Sequence, residues 1–259
     1  FRYQTYADSY LQKAKQLTRL PVKQAVISAS ALSLLYPAEG INGYSREQFI
    51  ADLINEAETD IRRCLNQGAY KVKIDFTEAR LSLKLDPGGS LLRSFIDLNN
   101  QVLSRFTEEE RKRIGVHSCP GGDHDSTHSA EIGYADLLPL LFQLKAGSFY
   151  LEYAAEKDKP SVLKSIKQNK QPGQRVFLGV INVLDPNVET PEEICNMILE
   201  AADIIPGDQL GTTDDCGFSP FADDTSTARD IAFAKIKARI GGTQLAEKLI
   251  NKTNTSVQK

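Results

Sequence analysis

Arg113-Ile-Gly-Val-His-Ser-Cys-Pro-Gly-Gly122 decides how this sequence is read. A short apolar run ends by presenting His117 and Cys119 two positions apart, then breaks into proline and paired glycine. Along a β-strand residues i and i+2 face the same way, so an imidazole and a thiol point together from the strand's C-terminal end. That is half of a zinc site. The other half is expected from strand ends elsewhere, and Cys216 in Thr213-Asp-Asp-Cys-Gly-Phe218 stops a strand just before a glycine.

Outward from this stretch, strand and helix signals alternate. Strands are predicted over 22–28, 69–76, 113–119, 148–153, 175–181 and 209–214. Helices are predicted over 2–18, 45–67, 90–105, 134–145, 160–168 and 226–249, with a short helical piece after Thr107. Ser45 with Gln48, Thr107 with Glu110 and Thr190-Pro-Glu-Glu193 are helix-start signatures. Pro139 fits the helix over 134–145 if it stands in the first turn, and Asp224 or Thr225 is the expected cap of the last helix. With no hairpin signal between any two strands, the alternation predicts an α/β fold of parallel strands joined by right-handed crossovers. A (β/α)8 TIM barrel runs to about 250 residues, yet six units here occupy 259. The reading is therefore one barrel domain over 1–259 that carries strands three to eight, with the first two β/α units lying before Phe1. The rival is an open doubly wound sheet, but no glycine-rich dinucleotide fingerprint follows any strand.

Bulk composition bounds the function. Hydrophobic residues make up 41% and charged residues 25% of the chain, an ordinary globular balance. A formal charge of −3 without a basic block predicts neither a nucleic-acid partner nor a membrane surface. No signal peptide is visible at Phe1-Arg-Tyr-Gln-Thr-Tyr6, and the prediction is a cytoplasmic protein. The four cysteines are too few and too irregular for a disulfide framework. Cys64 and Cys195 lie beside isoleucines on helical faces and read as core.

In a β/α barrel, side chains at the C-terminal strand ends converge on one face. The polar residues at those ends are Ser28, Asp75, His117, Cys119, Glu152, Asp214, Asp215 and Cys216. Of these, His117, Cys119, Cys216 and Glu152 offer the thiolate, imidazole and carboxylate donors that zinc takes in a tetrahedron. A second zinc reading closes a local loop from His117, Cys119, His124 and His128; a third packs His117 and Cys119 at the strand end without a metal.

These motifs, in this order, resemble the catalytic C-terminal barrel of the cobalamin-independent methionine synthase family. His117-x-Cys119, Glu152 after Phe149-Tyr-Leu, Gly179-Val-Ile with Asp185-Pro186 beyond, and Asp215-Cys-Gly-Phe218 carry the resemblance. It implies a zinc-dependent alkyl or methyl transferase that holds a thiol such as homocysteine as a thiolate for attack on an alkyl donor. Both partners would be small molecules; the oligomeric state is not read. Asp75 resembles the carboxylate that holds the amino group of homocysteine, with Glu78 as companion and Ser28 as a further substrate-side residue. The chain departs from the family on the donor side. Leu184 stands where the family has an acid histidine, there is no tryptophan to pack a folate, and Pro120-Gly-Gly-Asp-His-Asp-Ser-Thr127 replaces an aromatic loop. Related enzymes open epoxides with coenzyme M or take methyl from a corrinoid protein. For such chemistry His124 and Asp123 are the expected proton donors. A non-catalytic zinc-binding barrel is the alternative outside enzymes.

Overall fold

The structure is a computed structural model that describes residues 1–119, 129, 131–219 and 225–257, with side chains through 252. In chain order the elements are α1 (Asp8–Leu17), β1 (Lys23–Ile27), α2 (Ala29–Ser33), α3 (Arg46–Asn66), β2 (Lys71–Asp75), α4 (Glu78–Leu85), α5 (Ser90–Leu103), α6 (Glu108–Arg111), β3 (Ile114–Ser118), α7 (Tyr134–Leu141), β4 (Ser148–Leu151), α8 (Lys159–Asn169), β5 (Arg175–Gly179), α9 (Pro191–Ala202), β6 (Leu210–Thr213) and α10 (Arg229–Val257). The strands form a six-stranded sheet in the order β1-β2-β3-β4-β5-β6. A doubly wound sheet reverses its strand order at a switch point. The unbroken sequence order is that of a singly wound β/α barrel wall, and it removes the rival reading. Among the described residues no helix is long and apolar enough to cross a membrane.

By packing, the chain divides into two compact units. The first comprises Phe1–Ser118 and Leu140–Ser148. Here β1, β2 and β3 pair in parallel, with Ile27 opposite Asp75 and Asp75 opposite His117. That register sets three strand ends at one level. The predicted capping box at Ser45 and Gln48 is formed, and Phe49, Leu53, Ala57, Ile61, Cys64 and Leu65 of α3 are buried. Two helices escaped the sequence reading. The five-residue α2 is too short to show a period, and it starts where the Ser28 hydroxyl accepts a hydrogen bond from the Ala31 amide. α4 follows β2 after only two residues and ends before Asp86-Pro87, where proline disfavours helix in the residue before it. The first helix begins at Asp8 rather than residue 2.

The second unit comprises Cys119–Pro139 and Phe149–Lys259. β5 and β6 pair in parallel, with Gly179 opposite Thr213. Pro139 lies inside α7 rather than in its first turn. Proline has no amide hydrogen, so the Ala135 carbonyl loses its helical donor. The buried Ser165 hydroxyl of α8 donates to that carbonyl at 3.0 Å and replaces it. α10 begins at Arg229, so Thr225 does not cap it, and Asp224 lies outside the described residues. α9 packs closely on α10 because a Cβ on Gly242 would stand 2.5 Å from Ile194 Cγ2 and 2.7 Å from the Pro191 carbonyl.

Candidate metal centre and substrate pocket

The strand β3 delivers His117, buried at 5% exposure, and the next residue but one, Cys119, is 1% exposed. Cys216 follows β6 by three positions and is half-buried. The sulfurs of Cys119 and Cys216, 97 residues apart in sequence, are 2.9 Å apart. Donor atoms of His117, Cys119 and Cys216 all lie within 4.8 Å of one another. Two thiols and an imidazole are the donors of a zinc site rather than of a calcium or magnesium site. A tetrahedral zinc with bonds of about 2.3 Å would set its two sulfurs about 3.8 Å apart. Cys216 is the half-buried member of the pair and sits in a loop before Gly217.

What brings Cys216 to this place is its neighbour. The Asp215 amide donates to the Ile181 carbonyl at 3.0 Å. One Asp215 carboxylate oxygen accepts the amides of Tyr153 and Ala154 at 2.9 and 3.0 Å, and the other accepts the Ala155 amide at 2.7 Å. Gly179 makes room for it, since a Cβ there would meet the Asp215 oxygen at 2.0 Å. Burial pushes the Asp215 carboxyl up to about 7, against the lowering pull of the three amides. Asp214 turns the other way and pairs with Arg239 at 2.8 Å.

Glu152, at the end of β4, is buried at 5% exposure, but the His/Cys group does not include its carboxylate. His124, Asp123 and His128 lie outside the described residues, and with them the local-loop zinc reading. Cys64 and Cys195 are buried apart from the centre, as core. Burial pushes the Cys64 thiol up to about 12, which keeps it protonated and inert.

In the first unit the residues expected to face a substrate form a buried polar cluster. Ser28 donates to one oxygen of Glu78 at 2.7 Å, and Ser30 donates to the same oxygen. Asn99 in turn donates to the Ser30 hydroxyl at 2.7 Å. Glu78 is 8% exposed, and its second oxygen is buried without a hydrogen-bond partner among the described residues. Burial raises its carboxyl above the ordinary range, while the two serines pull it down. Asp75 lies one turn earlier, paired with Lys73 at 2.7 Å and partly open to solvent. Ser30 and Asn99 were not foreseen. Their signals were a second serine two residues beyond Ser28 and a lone asparagine among the buried apolar residues of α5.

The loop from β5 to α9 carries Leu184 and Asp185. Its Asn182 side chain accepts from the Leu184 amide at 3.0 Å, and Asp185 accepts from the Asn187 amide at 2.9 Å. A cavity of about 480 Å³ is lined by Asn182, Asp185, Asn187, Glu189, Asn196 and Met197, among others. Lys235 of α10 is fully buried beneath the loop and donates to the carbonyls of Asn182 and Asn187 and to Glu189 at 2.9 Å.

The fold and the site together define a parallel β/α protein with an imidazole and two thiols gathered at its strand ends. This chain is similar to the cobalamin-independent methionine synthases. Residues 109–233 match the catalytic domain of the cobalamin-independent synthases. The methionine synthase of Saccharolobus islandicus is 21% identical over 214 residues, covering 82% of this chain and 55% of that protein. The methionine synthase of Pyrococcus horikoshii is 21% identical over 246 residues, covering 93% and 62%. The B12-independent methionine synthase of a Shewanella species, solved with selenomethionine, superposes with a TM-score of 0.74 at 17% identity over 97% of this chain and 70% of that one. A putative vitamin-B12 independent methionine synthase of Listeria monocytogenes gives 0.66 at 22% identity, over 96% and 71%. The chain thus spans between half and two thirds of the length of these curated relatives.

Proposed function

We propose that this chain activates a thiol of the homocysteine type for methyl transfer, on a zinc ion held by His117, Cys119 and Cys216 with Glu152 as a further donor. The observation that carries the reading is the gathering of two thiols and an imidazole within 4.8 Å. When bound, zinc keeps a thiol of ordinary pKa about 8.5 as the nucleophilic thiolate at neutral pH. The chain's own residues supply the rest. Asp75 and Glu78 present carboxylates to the substrate ammonium, and Glu78 brings an oxygen that its serine partners leave unused. Ser28 fixes the other Glu78 oxygen and so its direction. In the transfer, the sulfur lone pair forms the new S–C bond as the bond from carbon to the donor breaks. The donor fragment keeps that electron pair, and where the electrophile is an epoxide the alkoxide so formed takes a proton from His124 or Asp123. Leu184 and the lack of tryptophan favour a donor other than folate, with an epoxide or a corrinoid-bound methyl as the electrophiles. The reading places the reaction in the cytoplasm, where thiols stay reduced.

Zinc X-ray absorption with homocysteine, cysteine and coenzyme M added in turn tests this. A shell of two sulfurs that becomes three with one thiol is expected and would identify the acceptor. A shell unchanged by every thiol would overturn the proposal in favour of a structural metal. Cys216→Ser should lose the metal, whereas Cys195→Ala should keep its full equivalent.

A further inference from the structure

We propose that Asp215 is a positioning residue that makes Glu152 and Cys216 one mechanical piece. The inference rests on the zinc reading above and goes beyond it by saying what fixes the mutual placement of two donors 64 residues apart. Every bond of the Asp215 carboxylate goes to backbone directly beyond Glu152: the amides of Tyr153, Ala154 and Ala155, at 2.7 to 3.0 Å. Its own amide is tied to Ile181, two residues past β5, and its chain continues directly into Cys216. Around this one side chain, the segments following β4, β5 and β6 are therefore joined.

The sheet already aligns the strands themselves, through bonds such as those pairing β5 with β6. Beyond the last ladder bond, side chains on different strands are free to drift unless something spans them. Asp215 spans that gap at 3% exposure, where a charge-assisted bond to an amide is strong and is not exchanged for water. The fit is built in from a third strand. At Gly179 a Cβ would stand 2.0 Å from the Asp215 oxygen and 2.8 Å from the Leu151 carbonyl, so no larger residue lets the carboxylate through. A carboxylate that served only to cap a turn would need none of this crossing.

Asp215→Asn is the discriminating change. The retained oxygen can still accept from Tyr153 and Ala154, but the new NH2 faces the Ala155 amide, donor against donor. In the folded variant the two cysteine sulfurs and His117 should still bind zinc. Affinity should fall about 10- to 100-fold, the usual cost of losing a group that orients a ligand. X-ray absorption should show two sulfurs retained and one oxygen donor lost, as in Glu152→Ala, whereas Cys216→Ser should lose the metal. A folded Asp215→Asn with wild-type affinity and donor set would overturn this inference and leave the zinc reading standing. A wild-type chain that takes up no zinc would overturn both. Should the variant not fold, amide exchange on the wild-type chain decides. Zinc should slow exchange at Tyr153, Ala154 and Ala155 at least about tenfold if the clamp couples them to Cys216. Exchange that zinc leaves unchanged would overturn the inference.

Discussion

Lys235→Met tests whether the β5–α9 loop is held by Lys235. Lys235 has no exposed surface and makes three bonds, two to loop carbonyls and one to Glu189, itself 16% exposed at the side chain. Methionine matches the length of the stem but removes the charge and all three donors. The Glu189 carboxylate would keep only the Asn182 amide, at 2.9 Å, and two carbonyls would lose their donor. Removing one member of a buried pair costs about 3–5 kcal/mol, because the other charge stays behind without compensation. At an unfolding entropy of about 2.1 cal/mol/K per residue, over the chain's length, this lowers the midpoint by about 6–9 °C. Differential scanning calorimetry reads the shift. The double variant Lys235→Met/Glu189→Gln keeps the acceptor for Asn182 and removes the stranded charge, so it should recover part of the loss. A loss below about 1 kcal/mol for the single variant, the worth of an exposed ion pair, would refute the buried-anchor argument.

Two further predictions concern groups the site leans on. Ser165→Ala should cost about 1–3 kcal/mol, the penalty for a buried carbonyl left without a donor, and Pro139→Ala in the same chain should restore much of it by returning the helical amide to Ala135; equal midpoints for the two variants would mean that the hydroxyl does nothing for α7. The raised carboxyl of Glu78 makes the native chain bind its proton more tightly than the unfolded chain does. Stability should therefore fall as pH rises from the ordinary glutamate value of 4.5 through the raised value, and level off above it. Glu78→Gln should flatten that segment of a pH series of thermal midpoints, and an unchanged slope would count against the buried, half-satisfied carboxylate.

The parts of the fold that were legible in the sequence were those whose signal is local. A capping box needs four residues, and each of the three that the sequence shows is formed at Ser45, Thr107 and Thr190. His117 and Cys119 were paired by strand alternation alone. Signals failed where the deciding partner came from another element. Pro139 reads as a helix start because a proline deeper in a helix is costly, and only Ser165, on another helix, removes the cost. Asn99 is buried because Ser30, 69 residues away, accepts its hydrogen bond, a pairing that no local pattern announces. Asp215 reads, with Asp214, as a strand-end carboxylate that orients the metal ligands, but its partners, the amides of Tyr153, Ala154 and Ala155, come from another strand end and leave no local signal. Glu152 reads as a ligand from its strand end; it is buried there, and its carboxylate lies outside the His/Cys group.

The two sides of the proposed reaction rest on different kinds of structure. On the thiol side, Asp75 is partly open to solvent, but the other anchoring polar groups are buried against named partners: Glu78 against two serines, Ser30 against Asn99, Asp215 against three amides and a glycine on a neighbouring strand. Such groups tolerate little change, because moving any one strands a buried partner. Lys235 holds the β5–α9 loop through the main-chain carbonyls of Asn182 and Asn187 and through the Glu189 carboxylate, and none of these bonds uses the side chain of Leu184 or Asp185. Leu184 and Asp185 can therefore differ from a relative's residues without cost to the fold. A chain built in this way can keep one nucleophile while exchanging the electrophile, and the departures from the methionine synthases fall on the exchangeable side.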